Sequence, residues 1–171
     1  MQFGKKKNET EDPATASRRL RETALSVTAA HLNLAPIEAR PHVWGVLMEL
    51  GYPQAVATLA AFADGSVSLY ISTGGGVIGA GEHKPVREEA ERLLSLAETH
   101  VADFERADET PYPEPGRVRF YVRTFHTTLT AEADDQDLGH LRHKLDPVFH
   151  AGHAVITQIR LISEGRIVGG P

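Results

Sequence analysis

Apolar positions along the chain change period several times, and each change marks an element. Over 14–32, Leu20, Ala24, Leu25, Val27, Thr28, His31 and Leu32 recur at helical spacing, with Arg18, Arg19, Arg21 and Glu22 elsewhere. A helix is therefore predicted there, ended by Pro36 and Pro41. The run Val43–Leu50 is short, apolar and framed by Pro41 and by Gly51-Tyr52-Pro53, which favours a buried strand. Residues 55–62 and 66–72 are two apolar runs on either side of Asp64-Gly65, a strong hairpin signal. In the second run Val67, Leu69 and Ile71 alternate with Ser66, Ser68, Tyr70 and Ser72, so one face of the strand is buried.

Pro85 sits where a helix should begin, followed by Glu88, Glu89 and Glu91 near its positive end. The stripe Val86, Ala90, Leu93, Leu94, Leu96, Ala97 and Val101 carries that helix to about Phe104. Pro111, Pro113 and Pro115 make 108–116 a loop. Residues 117–131 are predicted as strand. Val118, Phe120 and Val122 alternate with Arg117, Arg119, Tyr121 and Arg123, which reads as a solvated arginine face. Beyond Thr124 the phase slips to Phe125, Thr127 and Leu129, a bulge or a bend. A last helix is predicted over 134–163, capped by Asp134 or Asp135 and closed at Gly165. Pro147 should kink it or restart it at Asp146. The alternation of Val155, Thr157, Ile159 and Leu161 offers a strand instead, and the helix is preferred.

The expected fold is α+β, with a largely antiparallel sheet and helices packed on it in the order α-β-β-β-α-β-α. Residues 14–171 are expected to form a single domain, and residues 1–13, polar and without periodicity, a disordered tail. In element order this is similar to profilin-like modules of the roadblock and longin sort, with no residue motif to carry over.

Composition narrows the chemistry. The chain has 171 residues, 41% of them hydrophobic and 24% charged, which is ordinary for a folded protein. It has no cysteine, which excludes disulfides, thiolate metal sites and a cysteine nucleophile. The net charge of −5 argues against a nucleic-acid partner bound through bulk charge. No apolar run approaches the roughly 20 residues of a membrane span, and 1–13 lacks an apolar signal core. A cytoplasmic location, no membrane partner and no cofactor are expected.

Five of the fifteen glycines fall in Thr73–Gly81. Gly74-Gly75-Gly76-Val77-Ile78-Gly79 matches G-x-G-x-x-G after a strand. However, that strand belongs to a hairpin, the helix starts late, and no second βαβ unit follows. Gly81-Glu82-His83-Lys84-Pro85 also lacks the ending of a phosphate loop. The preferred reading is structural: positive φ, a tight return, or a short strand at Val77-Ile78 pairing back onto the hairpin. The alternative is a ligand loop. Its site would be Gly74, Gly75, Gly76, Gly79, Gly81, His83 and Lys84, joined by one of Arg117, Arg119 or Arg123. His83 is the first candidate there for acid–base chemistry.

His140, His143, His150 and His153 invite a metal reading. On one continuous helix they would lie opposite the apolar stripe, with His143 and His150 about 10 Å apart along the axis. No metal is expected from that arrangement. The motifs G-x-S-x-G, H-E-x-x-H and S-x-x-K do not occur, and Ser72-Thr73 lacks a partner base. The catalytic residues are thus unknown. The expected function is a non-enzymatic protein-interaction module, as a homodimer or on another protein. The alternative is a small-molecule or anion binder, or an enzyme, using the loop Gly74–Gly81.

Overall fold

The structure, a computed structural model, describes residues 10–165. Of the expected tail, 1–9 lies outside the described residues. Asp12 caps the first helix, α1 (Pro13–Ser26), by accepting the Thr15 N–H at 3.1 Å. Proline suits that first turn because its missing N–H would have had no partner there.

The expected helix over 14–32 stops short. The Arg123 guanidinium, from a distant strand, donates to the carbonyls of Ala24 (2.9 Å) and Val27 (2.8 Å). Those are the orphan carbonyls at a helix end. With them taken, the chain turns through 29–33, where Asn33 adopts φ +54°.

Seven strands form one sheet: β1 (Val43–Gly51), β2 (Val56–Phe62), β3 (Val67–Ile71), β4 (Gly76–Val77), β5 (Glu105–Arg106), β6 (Arg117–Thr124) and β7 (Thr128–Asp134). Their order is β4-β3-β2-β1-β6-β7-β5, and every neighbouring pair is antiparallel. The expected α+β architecture with an antiparallel sheet is the one observed. β1 lies at the centre and is buried along its whole length, which explains why its sequence is continuously apolar instead of alternating. Its register slips between Val43 and Gly45. The slip keeps Val43, Val46, Met48 and Leu50 on one face, and Trp44 and Leu47 on the other.

Two helices cover the first face: α2 (Lys84–Thr99) and α4 (Asp146–Ser163). They bury Val86, Ala90, Leu93, Leu94 and Ala97 from α2, and Val148, Ala151, Val155 and Ile159 from α4. Gly152 lets α4 settle on the sheet, because a Cβ there would come within 2.5 Å of Met48 Sδ.

The second face is covered by α1 and the prolines of 108–116. α1 buries a single stripe, Ser17, Arg21 and Ala24. Arg21 forms a bidentate pair with Glu49 of β1, at 2.6 and 2.8 Å, and Glu49 is fully buried. Thr58 of β2 donates to the same carboxylate at 2.8 Å. Arg21 also donates to Thr110 O (2.9 Å) and lies 4.0 Å from the Tyr112 ring centroid. The Tyr121 hydroxyl donates to Pro111 O at 2.5 Å. Burial, and then the Glu49 charge, push its phenol up to about 12.

Several expectations need correction. The phase slip after Thr124 is a full reversal into β7, so 117–131 is not one strand. Thr124 builds the turn: its hydroxyl donates to Thr127 O (2.7 Å) and accepts the Thr127 N–H (3.0 Å). No glycine or asparagine announces it. The arginine face is solvated only in part. Arg123 is buried 4.8 Å from the Trp44 ring, while Arg117 and Arg119 both bind Glu132 across β7. Over 134–163 the restart expected at Asp146 is observed, and only a short separate helix precedes it. α3 (Asp135–Gly139) starts under an Asp134 cap, Leu141 takes φ +56°, and α4 restarts with Asp146 and Pro147 in its first turn. The Asp146 carboxylate reaches back to the His143 N–H (3.1 Å), which fixes the break.

At the far end of α2, Glu98 accepts the N–H groups of His42 (3.1 Å) and Val43 (2.7 Å), and bonds His42 Nδ1 at 2.6 Å. Burial alone would raise this carboxyl, but these bonds outweigh it and hold its pKa below the ordinary 4.5. A lowered folded pKa contributes stability above the ordinary value, and that stability is lost as pH falls through the folded one. Glu98→Gln should therefore lower stability at neutral pH and flatten its decline below about pH 5, read by urea melts across pH. Arg21→Ala strands a buried carboxylate and should cost about 3–5 kcal/mol, with the apolar double variant Arg21→Met/Glu49→Leu much closer to neutral. Equal losses for the single and double variants would contradict that account.

Candidate functional site

Three grooves meet at the turn between β2 and β3, and two others, of about 350 Å³ between α2 and α4 and about 390 Å³ beside Gly51 and Gly116, lie away from it. Asp64 makes that turn. Its carboxylate accepts the Ser66 N–H (2.9 Å) and the Ser66 hydroxyl (2.8 Å), while Gly65 takes φ +90°. A 3-10 turn, Ala80–Glu82, lies directly against it. Gly81 permits this contact, because a Cβ there would sit 1.8 Å from Gly65 O. Arg87 of α2 ties the turn down by donating to the carbonyls of Gly81 and Glu82, both at 2.8 Å.

Three grooves surround this hairpin end. One of about 450 Å³ runs between Phe62, Gly65 and the α2 side chains Lys84, Arg87, Glu88 and Glu91. A second, of about 410 Å³, lies between Ser66 and Ser68 on one side and Ile78, Gly79 and Glu82 on the other. A third, of about 170 Å³, is an apolar slot under α1, walled by Leu20, Val27, Leu32, Phe62 and Tyr70. Ser66 and Ser68 line both the second groove and the slot, and Phe62 lines both the slot and the first groove. Ile78 stands beside them, 67% exposed.

The glycine segment is strung along β3 and does not gather around a point. Gly74 packs on Pro13 at the start of α1, where a Cβ would come within 2.6 Å, and its N–H donates to Ile71 O (2.8 Å). Gly75 accepts the Ile71 N–H at 3.0 Å. Gly76 pairs with Tyr70 in β4, so close to Leu69 that a Cβ would meet its carbonyl at 2.1 Å. The short return strand is Gly76–Val77, one residue earlier than Val77-Ile78. Gly79 and Gly81 lie at the hairpin end. Gly79 has φ +73° and open space around its Cα. His83 precedes α2, donating its N–H to Ala80 O (3.1 Å) and accepting that of Arg87 (3.1 Å). Lys84 is exposed and within 3.5 Å of Glu88.

So Gly79, Gly81, His83 and Lys84 share the hairpin end, while Gly74, Gly75 and Gly76 lie toward the other end of β3. Arg117, Arg119 and Arg123 do not join them. They sit on β6, with β1 and β2 between it and β3.

The four histidines do not share a helical face. His140 and His143 lie between α3 and α4, where His140 Nδ1 bonds Gln136 O (2.7 Å) and His143 Nδ1 accepts the Leu145 N–H (3.1 Å). His150 and His153 both lie edge-on to Phe149, with ring centroids 5.2 and 4.4 Å away. His153 is half-buried, and burial pulls its pKa down, with Asp135 opposing and His150 adding to the shift. No group of three or more metal-ligating side chains gathers among the described residues.

Ile78 and the slot residues Leu20, Val27 and Leu32 escaped the sequence reading as surface features. The signal available was Ile78 itself, an apolar residue between glycines that fits neither alternation nor a helical stripe. No family model, curated protein or solved structure matches the chain. The likeness in element order to profilin-like modules therefore carries no family.

The close packing of Gly81 separates it from Gly79. Gly81→Ala meets backbone and should cost about 3 kcal/mol or more. Gly79→Ala meets open space and loses only its left-handed backbone, about 1 kcal/mol. Urea denaturation of the two variants checks the order, and equal values would contradict it.

Proposed function

We propose that this chain is a non-enzymatic interaction module whose contact surface is the hairpin end, with a second copy of itself as the first partner. One observation carries the reading. Ile78 presents a large apolar side chain to solvent on backbone held in place by β4 pairing, the Gly81–Gly65 contact and the Arg87 ties. A rigid exposed apolar side chain beside concave apolar surface suits protein docking, because little ordering entropy is lost on binding. The short strands β4 and β5 add two sheet edges that a partner strand could extend.

The polar side chains of the second face fit this reading. Glu49, Arg21 and Arg123 are engaged in joining elements to one another. The acidic net charge speaks against a nucleic-acid partner. No helix among the described residues is long and apolar enough to cross a membrane. A cytoplasmic location goes with the reading.

A second reading is favoured by Lys84 and Arg87 at the rim of the 450 Å³ groove. There the hairpin end would bind a small anionic molecule through those cations and the Gly79–Gly81 backbone. Inorganic phosphate and nucleotides would then raise the melting temperature, since ligands that bind the folded state stabilise it.

Light scattering of the full chain decides the first reading. It expects a mass of twice 18.6 kDa at micromolar concentration. A mass of 18.6 kDa up to the highest soluble concentration would overturn self-association.

A further inference from the structure

We infer that the self-association is a reciprocal knob-and-slot contact, in which Ile78 of each copy enters the apolar slot under α1 of the other. The inference rests on the interaction reading above and gives it a specific contact.

A two-fold interface uses the same patch on both copies, so one patch must hold both the projecting group and its receptor. The hairpin end does so. Ile78 forms one wall of the groove whose opposite wall is Ser66 and Ser68, and those two serines are also a wall of the slot. Knob and slot are therefore neighbours across a single strand, β3. Their sizes agree as well. The slot measures about 170 Å³, comparable to the roughly 150 Å³ apolar cavity that holds one benzene. That is room for one branched aliphatic side chain and little more. Its lining of Leu20, Val27, Leu32, Phe62 and Tyr70 offers the apolar contact that Ile78 lacks on its own copy.

Charge points to a second copy rather than an unlike partner. The surrounding rim carries both signs, Lys84 and Arg87 against Asp64, Glu82 and Glu88. Two-fold rotation of such a rim can set cations against acids, whereas a partner of strong single-sign charge would meet repulsion from half of it.

The slot exists because of how α1 is held. Its ties to the sheet are Arg21 at mid-helix and the Arg123 guanidinium at its C-terminal end. Leu20 and Val27 are only partly buried, and the slot opens beneath them.

The test uses sedimentation equilibrium of the full chain and two variants at exposed positions. Ile78→Asp removes the knob. Thr23→Trp, on the exposed side of α1 at the slot's rim, fills the slot. Each loses both symmetric contacts and should weaken dimerisation by at least about 100-fold, with circular dichroism unchanged and a melting temperature equal to that of the wild type diluted until monomeric. An equimolar mixture of the two variants should associate more tightly than either alone. In the mixed dimer, the intact Ile78 of one copy meets the open slot of the other. Absence of that rescue, or variants that dimerise like the wild type, would overturn the inference while leaving self-association standing. A monomeric wild type would overturn both, whether another segment of the chain or another protein occupies the slot.

Discussion

The position of α1 depends on one buried ion pair, Arg21 with Glu49. Glu49 is fully buried in the central strand, where an unpaired charge is costly. Arg21 supplies two charge-assisted hydrogen bonds and Thr58 a third, so three elements meet at one group. The same guanidinium binds Thr110 O and stacks on Tyr112, which brings in the proline loop. Such a pair adds little net stability compared with an apolar substitute, since desolvation offsets most of the attraction. Its effect is directional. It allows one seating of α1 and makes every other seating expensive.

The two faces of the sheet are thus held by different physics. α2 and α4 bury broad apolar stripes, and their attraction is spread over many contacts. α1 buries three residues, one of them charged, and is located by discrete bonds at Arg21 and Arg123. A helix located at points does not seal the surface between them. The slot beside Leu20 and Val27 follows from that.

Legibility from the sequence followed the range of the interactions. β1, the β2–β3 hairpin and the start of α2 were readable because neighbours in sequence decide them: the apolar run, Asp64-Gly65, and Pro85. The corrections all came from partners distant in sequence or from side chains acting as turn-makers. The end of α1 is decided by Arg123, 96 residues from Val27. The reversal at Thr124 is made by a hydroxyl, in a segment whose composition suggests continuous strand. The arginines of β6 alternate as a solvated face would, and only the docking of α1 reveals that Arg123 is covered. The histidines misled because their angles were counted on one helix, and the Asp146 bond to His143 divides it in two.

The glycine segment shows why a motif can match and still mislead. A dinucleotide fingerprint needs its glycines to expose backbone N–H groups around one anion at a helix start. Here the need for glycine arises from different neighbours at each position: Pro13 at Gly74, the Leu69 carbonyl at Gly76 and the Gly65 carbonyl at Gly81. At Gly76 and Gly81 a Cβ would meet backbone, and at Gly74 it would meet the Pro13 ring. Together they let a chain only a few residues long return along β3, cross to the hairpin turn and enter α2. That tight route leaves no room to bury the side chain of Ile78, which lies between a two-residue strand and a left-handed glycine. The same constraint that empties the motif of its usual meaning therefore places an apolar side chain in solvent, next to a small apolar slot on the α1 face.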